Sequence, residues 1–230
     1  MTTRQTSVIA VIMAGATTVY YPEVLRELCN AIAAHGCRAM VFMVDDPASE
    51  AAAIDAIASY RIDAAITMVS LAPDLIALLR SNAIRLVFYN REGPEGGPSE
   101  ITCNHRLSGR DAALHLLGLG HHRCALIAVP TNSWVSAERV KGITSARDNR
   151  GTALDIVRSV AGDYSYESGR AAMASLKPDA ERITAIIACN DAMAAAAIDV
   201  VRGAWGCKCP NASRSSASMA RPSDPRTRIS

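Results

Sequence analysis

Short, almost wholly apolar runs alternate along this chain with longer stretches whose apolar positions recur at helical spacing. Runs of the first kind suit strands buried on both faces, and stretches of the second kind suit helices packed on a sheet. The segment 101–130, ITCNHRLSGRDAALHLLGLGHHRCALIAVP, shows one whole cycle. Ser108–Leu119 predicts a helix with Ala112, Leu116 and Leu119 on one face and Ala113 and Leu117 beside them. Gly118 and Gly120 end it, because glycine accepts the left-handed turn at a helix C-terminus. His121, His122 and Arg123 suit the negative end of the helix dipole, and Cys124–Val129 then reads as a buried strand.

The same alternation runs through the rest of the chain. Strands are predicted at Ser7–Ala14, Arg38–Val44, Ala64–Val69, Arg85–Tyr89, Ile156–Val160 and Thr184–Ala188. Helices follow from Pro22 (Leu25, Leu28, Cys29 and Ile32, closed by Gly36), around Ala51, Ile54 and Ala58, and around Leu75, Ile76 and Leu79. Further helices are predicted at Ser136–Ala146, with Val140 and Ile143 inward, at Glu167–Leu176 and at Asp191–Arg202. Gly15–Tyr21 and the glycine- and proline-rich Glu92–Ser99 read as loops. Strand–helix alternation at this spacing predicts an α/β protein with doubly wound parallel sheets, whose ligands bind outside the carboxyl ends of the strands.

Bulk properties refine this picture in a few respects. With 230 residues, two lobes of roughly 100 residues each are expected. The net charge of +2 does not call for a large anionic partner. Seven cysteines at 29, 37, 103, 124, 189, 207 and 209 form no C-x-x-C pair and read as reduced thiols of a cytoplasmic protein. Neither a leader sequence nor a membrane-length apolar run is apparent. Phosphate-loop, nucleophile-elbow and H-E-x-x-H motifs are absent, so no cofactor, no metal and no catalytic residue is expected. A sugar- or nucleotide-processing enzyme is the weaker reading, since this class of fold hosts many enzymes.

The strand ends select the candidate ligand-binding residues. Tyr20 and Tyr21 follow the first strand, and Asn90 and Arg91 the fourth. Trp134, Ser136 and Arg139 follow the Cys124–Val129 strand, Tyr164 and Tyr166 the next, and Asn190 and Asp191 the last. Aromatic faces with forked hydrogen-bonding groups suit a sugar, whose hydroxyls donate and accept while its C–H faces stack on rings. Plainer roles exist: Asp191 suits a helix cap and Tyr21 a packing contact beside Pro22.

Four segments in order, HLLGLGHHRCALIAVP, SAERVKG, GDYSYESG and TAIIACNDAMA, make the chain from Arg4 to about Lys208 resemble the effector-binding domain of LacI/GalR-type transcriptional repressors. That resemblance implies a type I periplasmic-binding-protein fold: a first lobe over 1–103, a second over 104–208, and a sugar or related metabolite between them. It implies that Tyr20, Tyr21 and Tyr164 pack on the ligand, that Arg139 grips its hydroxyls and that Asn90, followed by Arg91, stands at a ligand-binding position, while Asn190 matches the asparagine of the family's N-D pair. Asn104–His105 stands where many members carry Asp–Asn, a departure from the pattern. The implied partners are a small-molecule effector and a second copy of the chain, with neither a membrane nor direct DNA contact by this chain. A sugar-binding component of an ABC-type transporter is the alternative.

Two ends depart from the family. No helix-turn-helix precedes the first strand, although Arg4-Gln5-Thr6-Ser7 resembles the linker that follows one. The tail 209–230, CPNASRSSASMARPSDPRTRIS, has no apolar periodicity and reads as disordered, leaving the second lobe incomplete. GC-rich codons chosen for this tail, read one base earlier, spell VPERLSVVGFDG, close to the strand the family has there. A single-base frameshift is the expectation, with weak stability and impaired ligand binding as its consequence; the gene's DNA tests it.

Overall fold

A computed structural model describes residues 6–14, 22–94, 97–129 and 133–205. Tyr20, Tyr21 and the tail 209–230 lie outside the described residues. The chain divides between Thr102 and Cys103 into two compact units.

The first unit is a five-stranded parallel sheet in the order β2-β1-β3-β4-β5. Its strands are β1 (Val8–Met13), β2 (Arg38–Met43), β3 (Ala64–Thr67), β4 (Arg85–Tyr89) and β5 (Ser99–Ile101). Helices α1 (Pro22–Ala34), α2 (Pro47–Ser59) and α3 (Pro73–Ser81) alternate with them. Proline opens all three helices, where its missing N–H costs nothing. Asp46 caps α2 in a reciprocal box: its Oδ1 accepts from Ser49 N at 2.7 Å, and Ser49 Oγ accepts from Asp46 N at 3.1 Å. Gly36 has φ +73° just past α1, as its position after the helix predicted. The central strand β1 alternates between two cores. Ala10 and Ile12 pack with Ile54, Ile57, Ile76 and Leu79 of α2 and α3, while Val11 and Met13 pack with Ile32 of α1 and Met68. The apolar run therefore reads out burial on both faces. The pattern did not announce β5, three exposed residues that pair with β4 at the end of the predicted loop.

The second unit has the sheet order β7-β6-β8, again parallel. It is built from α4 (His105–Gly118), β6 (Arg123–Ala128), α5 (Trp134–Ser145), β7 (Asp155–Ala161), α6 (Tyr166–Leu176), β8 (Ala185–Ala188) and α7 (Asp191–Gly203). Two expectations for α4 need correction. It starts before Ser108, because Asn104 Oδ1 accepts from Leu107 N at 2.9 Å and caps it. Its buried stripe is His105, Gly109, Ala113 and Leu117, whereas Leu119 lies past the helix end at 62% exposure. The stripe is displaced because α4 packs against α5 backbone to backbone. A Cβ on Gly109 would sit 2.1 Å from the Arg139 carbonyl oxygen, and one on Gly142 would sit 2.0 Å from that of Arg106. The His105 ring meets the Trp134 ring edge to face, with centroids 5.7 Å apart.

Gly142→Ala is expected to lower stability by about 1–3 kcal/mol through overpacking. That net loss should appear despite the ~1 kcal/mol that alanine gains over glycine in a helix. Urea denaturation of the variant checks it. A second expectation concerns Cys124, fully buried in β6, whose thiol is pushed up from 9.0 to about 11 by burial and, to a smaller extent, by the Asp155 charge. The unfolded thiol ionises first, so stability is fully present below pH 9 and falls as pH rises toward 11. For a shift of this size the fall is on the order of 2 kcal/mol. Cys124→Ala should flatten that part of the stability–pH curve.

Candidate functional site

Several candidate residues of the second unit lie where β6, β7 and β8 end, and hydrogen bonds there hold Arg139, Tyr164 and Asn190. Arg139 on α5 donates through Nη1 to the carbonyl oxygen of Cys189, the residue after β8. Its Nε is buried and meets no acceptor among the described residues. Asn190, next in sequence to Cys189, donates through Nδ2 to the Tyr164 carbonyl at 2.7 Å, and its Oδ1 accepts from Met193 N at 3.0 Å. Asn190 is therefore the cap of α7, and Asp191 is the first residue inside the helix rather than its cap. Tyr164 has φ +75°, a conformation non-glycine residues rarely adopt, and its hydroxyl bonds Ser133 Oγ. Ser133 in turn caps α5, its Oγ accepting from Ser136 N at 3.3 Å.

Ser136, selected from sequence as a ligand contact, is fully buried. Its Oγ accepts from Val129 N at 3.0 Å and donates to Val129 O at 3.2 Å, tying α5 to the end of β6. Ser133 is the residue that sequence reading missed. The signal was available in the S-x-x-S spacing of Ser133 and Ser136, which marks an α5 start ahead of Ser136. Two aromatics also have roles beyond exposed loop positions. Trp134 packs on His105, and Tyr166 Oη donates to Asp199 Oδ2 at 2.7 Å, a bond that raises its phenol above the usual range.

The electrostatics are mixed. Desolvation raises the Asp191 carboxyl above its ordinary value, and the Arg139 charge offsets part of that rise. Hydrogen bonds from Ser165 and Ser168 hold Asp163 below the usual carboxylate range. Cys189 is raised by burial, with Ser136 and Arg139 opposing. Among the described residues no group of His, Cys, Asp or Glu could hold a metal ion.

In the first unit Asn90 and Arg91 follow β4 as predicted. Asn90 has φ +55°, and its N donates to Ile101 O at 2.8 Å. Arg91 donates through Nε to Met68 O at 3.1 Å, just beyond β3. Positive φ alone does not mark a site, since Ser7, Arg61 and Ala83 share it in turns that lead into strands. What the two units share is an arginine anchored by one N–H to a carbonyl beyond a strand end. A guanidinium has five donors, so each anchor leaves others for an incoming oxygen.

Parallel sheets with interleaved helices define a periplasmic-binding-protein-like fold, with arginine, asparagine and tyrosine at the strand ends. The chain belongs to the family described as periplasmic binding proteins and sugar binding domain of LacI family, which matches residues 6–216. It is 35% identical to the HTH-type transcriptional regulator CelR of Thermobifida fusca over 109 residues, which is 47% of this chain and 32% of the relative. It is 26% identical over 207 residues to the HTH-type regulator DegA of Bacillus subtilis, covering 88% of this chain and 61% of the relative. The chain thus spans less than two thirds of either relative. Among solved structures, a CelR–cellobiose complex superposes with a TM-score of 0.75 at 25% identity, covering 87% of this chain and 64% of that one. These relatives are transcriptional regulators. Among the described residues, no helix is long and apolar enough to cross a membrane.

Asn190→Ala should lower the stability of the second unit by about 1–2 kcal/mol through loss of the α7 cap. Asn190→Asp keeps the cap acceptor but loses the N–H to Tyr164. It should recover most of that stability while amide exchange in 162–165 stays fast. Thermal melts and hydrogen exchange check the pair.

Proposed function

We propose that this chain is the ligand-sensing part of a LacI-family transcriptional regulator. It takes a sugar or related polyhydroxylated metabolite at the carboxyl ends of its strands. Acting as a homodimer, it couples that binding to the DNA affinity of a helix-turn-helix domain by shifting the balance between two conformations. The observation that carries the reading is Arg139: its guanidinium is fixed by one bond to Cys189 O, its Nε meets no acceptor among the described residues, and Asn190, next to Cys189, bonds Tyr164 O. The family match and the cellobiose held by CelR support a saccharide. Tyr164 and Asp191 are further proposed contacts in the second unit, and Asn90 and Arg91 are proposed contacts in the first, as are Tyr20 and Tyr21, which follow β1 in sequence. Ser136 serves by bracing α5. The relatives are regulators, so the transport component weighed from sequence is not favoured.

The test is a titration of the full chain with cellobiose and a panel of neutral and phosphorylated monosaccharides, followed by chemical shifts and thermal melts. The divergent tail sets the range at millimolar ligand, since weak affinity is expected. One class should bind and raise the melt. Arg139→Ala should weaken that binding about 10- to 100-fold, the scale of hydrogen bonds to a charged group. No binding across the panel, or equal binding by the variant, refutes the reading.

A further inference from the structure

We infer that Ser133 is a positioning residue that fixes the Tyr164 ring before any ligand arrives. Tyr164 is held at both ends. Its carbonyl accepts from Asn190 Nδ2 at 2.7 Å, and its hydroxyl meets Ser133 Oγ. Ser133 is buried and sits at the N-cap of α5, so its own placement is set by the helix that carries Arg139. A hydroxyl has one donor and two acceptor sites, so Ser133 Oγ serves Ser136 N and the phenol together. The links close into a circuit. It runs from Ser133 along α5 to Arg139, from Arg139 to the Cys189 carbonyl, on to Asn190, to Tyr164, and back to Ser133. Breaking the phenol link leaves the ring held by its packing on the second unit's core and by a backbone at φ +75° that few side chains adopt, with its polar end released. The freedom the ring regains then has to be given up when the ligand binds, and that entropy is subtracted from affinity. Phenylalanine at 164 offers the same aromatic face without the latch, so the latch is specific to the Ser133–Tyr164 combination.

For affinity the inference rests on the functional reading above; for the placement of the ring it does not. The experiment uses the full chain with ring-labelled tyrosine, the Tyr164 signal being the one lost in Tyr164→Phe. In the ligand-free chain, Ser133→Ala is expected to shift and broaden that signal, and Ser133→Thr, which restores a hydroxyl, to return it. An unchanged signal in Ser133→Ala overturns the inference. With cellobiose, or the panel sugar that binds, Ser133→Ala and Tyr164→Phe should each weaken affinity about two- to tenfold. The double variant should be within about twofold of the weaker single, because both changes remove one link. Additive losses overturn the inference. So does a loss in Ser133→Ala alone, which would trace to the α5 cap that Tyr164→Phe leaves intact. If no panel sugar binds, the functional reading fails, and the ligand-free signal alone decides whether Ser133 positions the ring.

Discussion

A parallel sheet leaves carbonyls at its carboxyl edge that the strand ladder does not use, and buried ones must find donors. In this chain the donors are the candidate ligand residues themselves. Arg91 takes Met68 O, Ser136 takes Val129 O, Arg139 takes Cys189 O and Asn190 takes Tyr164 O. Structural and binding roles are therefore not rivals here. Arginine has donors to spare after closing one carbonyl, whereas the Ser136 hydroxyl is spent on Val129 and has none left. That difference in donor count separates residues able to hold a ligand from residues that hold the edge.

The edge is only as well placed as α5, and α5 is placed by glycine. Gly109 and Gly142 let α4 and α5 approach until each backbone meets the other's carbonyl. Any side chain at either position would push the helices apart and carry Arg139 with them. The His105–Trp134 contact joins the N-terminal ends of the same pair. A stretch with no ligand-binding residue of its own, the helix over His105–Gly118, thus sets where the arginine stands.

Most strands and helices were legible because a parallel sheet buried on both faces leaves a continuous apolar run, and Cys124–Val129 is such a run. The corrections have physical causes. The buried face of α4 was misread because its anchor is Gly109, a position that apolar periodicity weighs lightly but that close packing makes the deepest point of the stripe. Strand β5 escaped because its three residues are exposed and carry no apolar signal. At the site, Arg139, Tyr164 and Asn190 were legible from their places after strands. As the cap of α5, Ser133 was passed over because the helix start was set at Ser136; as a partner of Tyr164 it carried no signal at all. Its partner is 31 residues away, and only the fold joins them.

The charge balance at the second edge bears on what the proposed function asks of it. Arg139 brings a cation, and Asp191 brings a carboxyl that burial raises and that cation lowers. A sugar hydroxyl donates and accepts at once, so a single such group can answer both an N–H of Arg139 and an oxygen of Asp191. A phosphate answers only the first and meets the second as like charge. Pre-anchoring would add affinity rather than selectivity. With Arg139 held by Cys189 O and Tyr164 held at both ends, little side-chain freedom remains to be lost on binding. The same anchors that satisfy the sheet's open carbonyls would thereby lower the entropic cost of the proposed recognition.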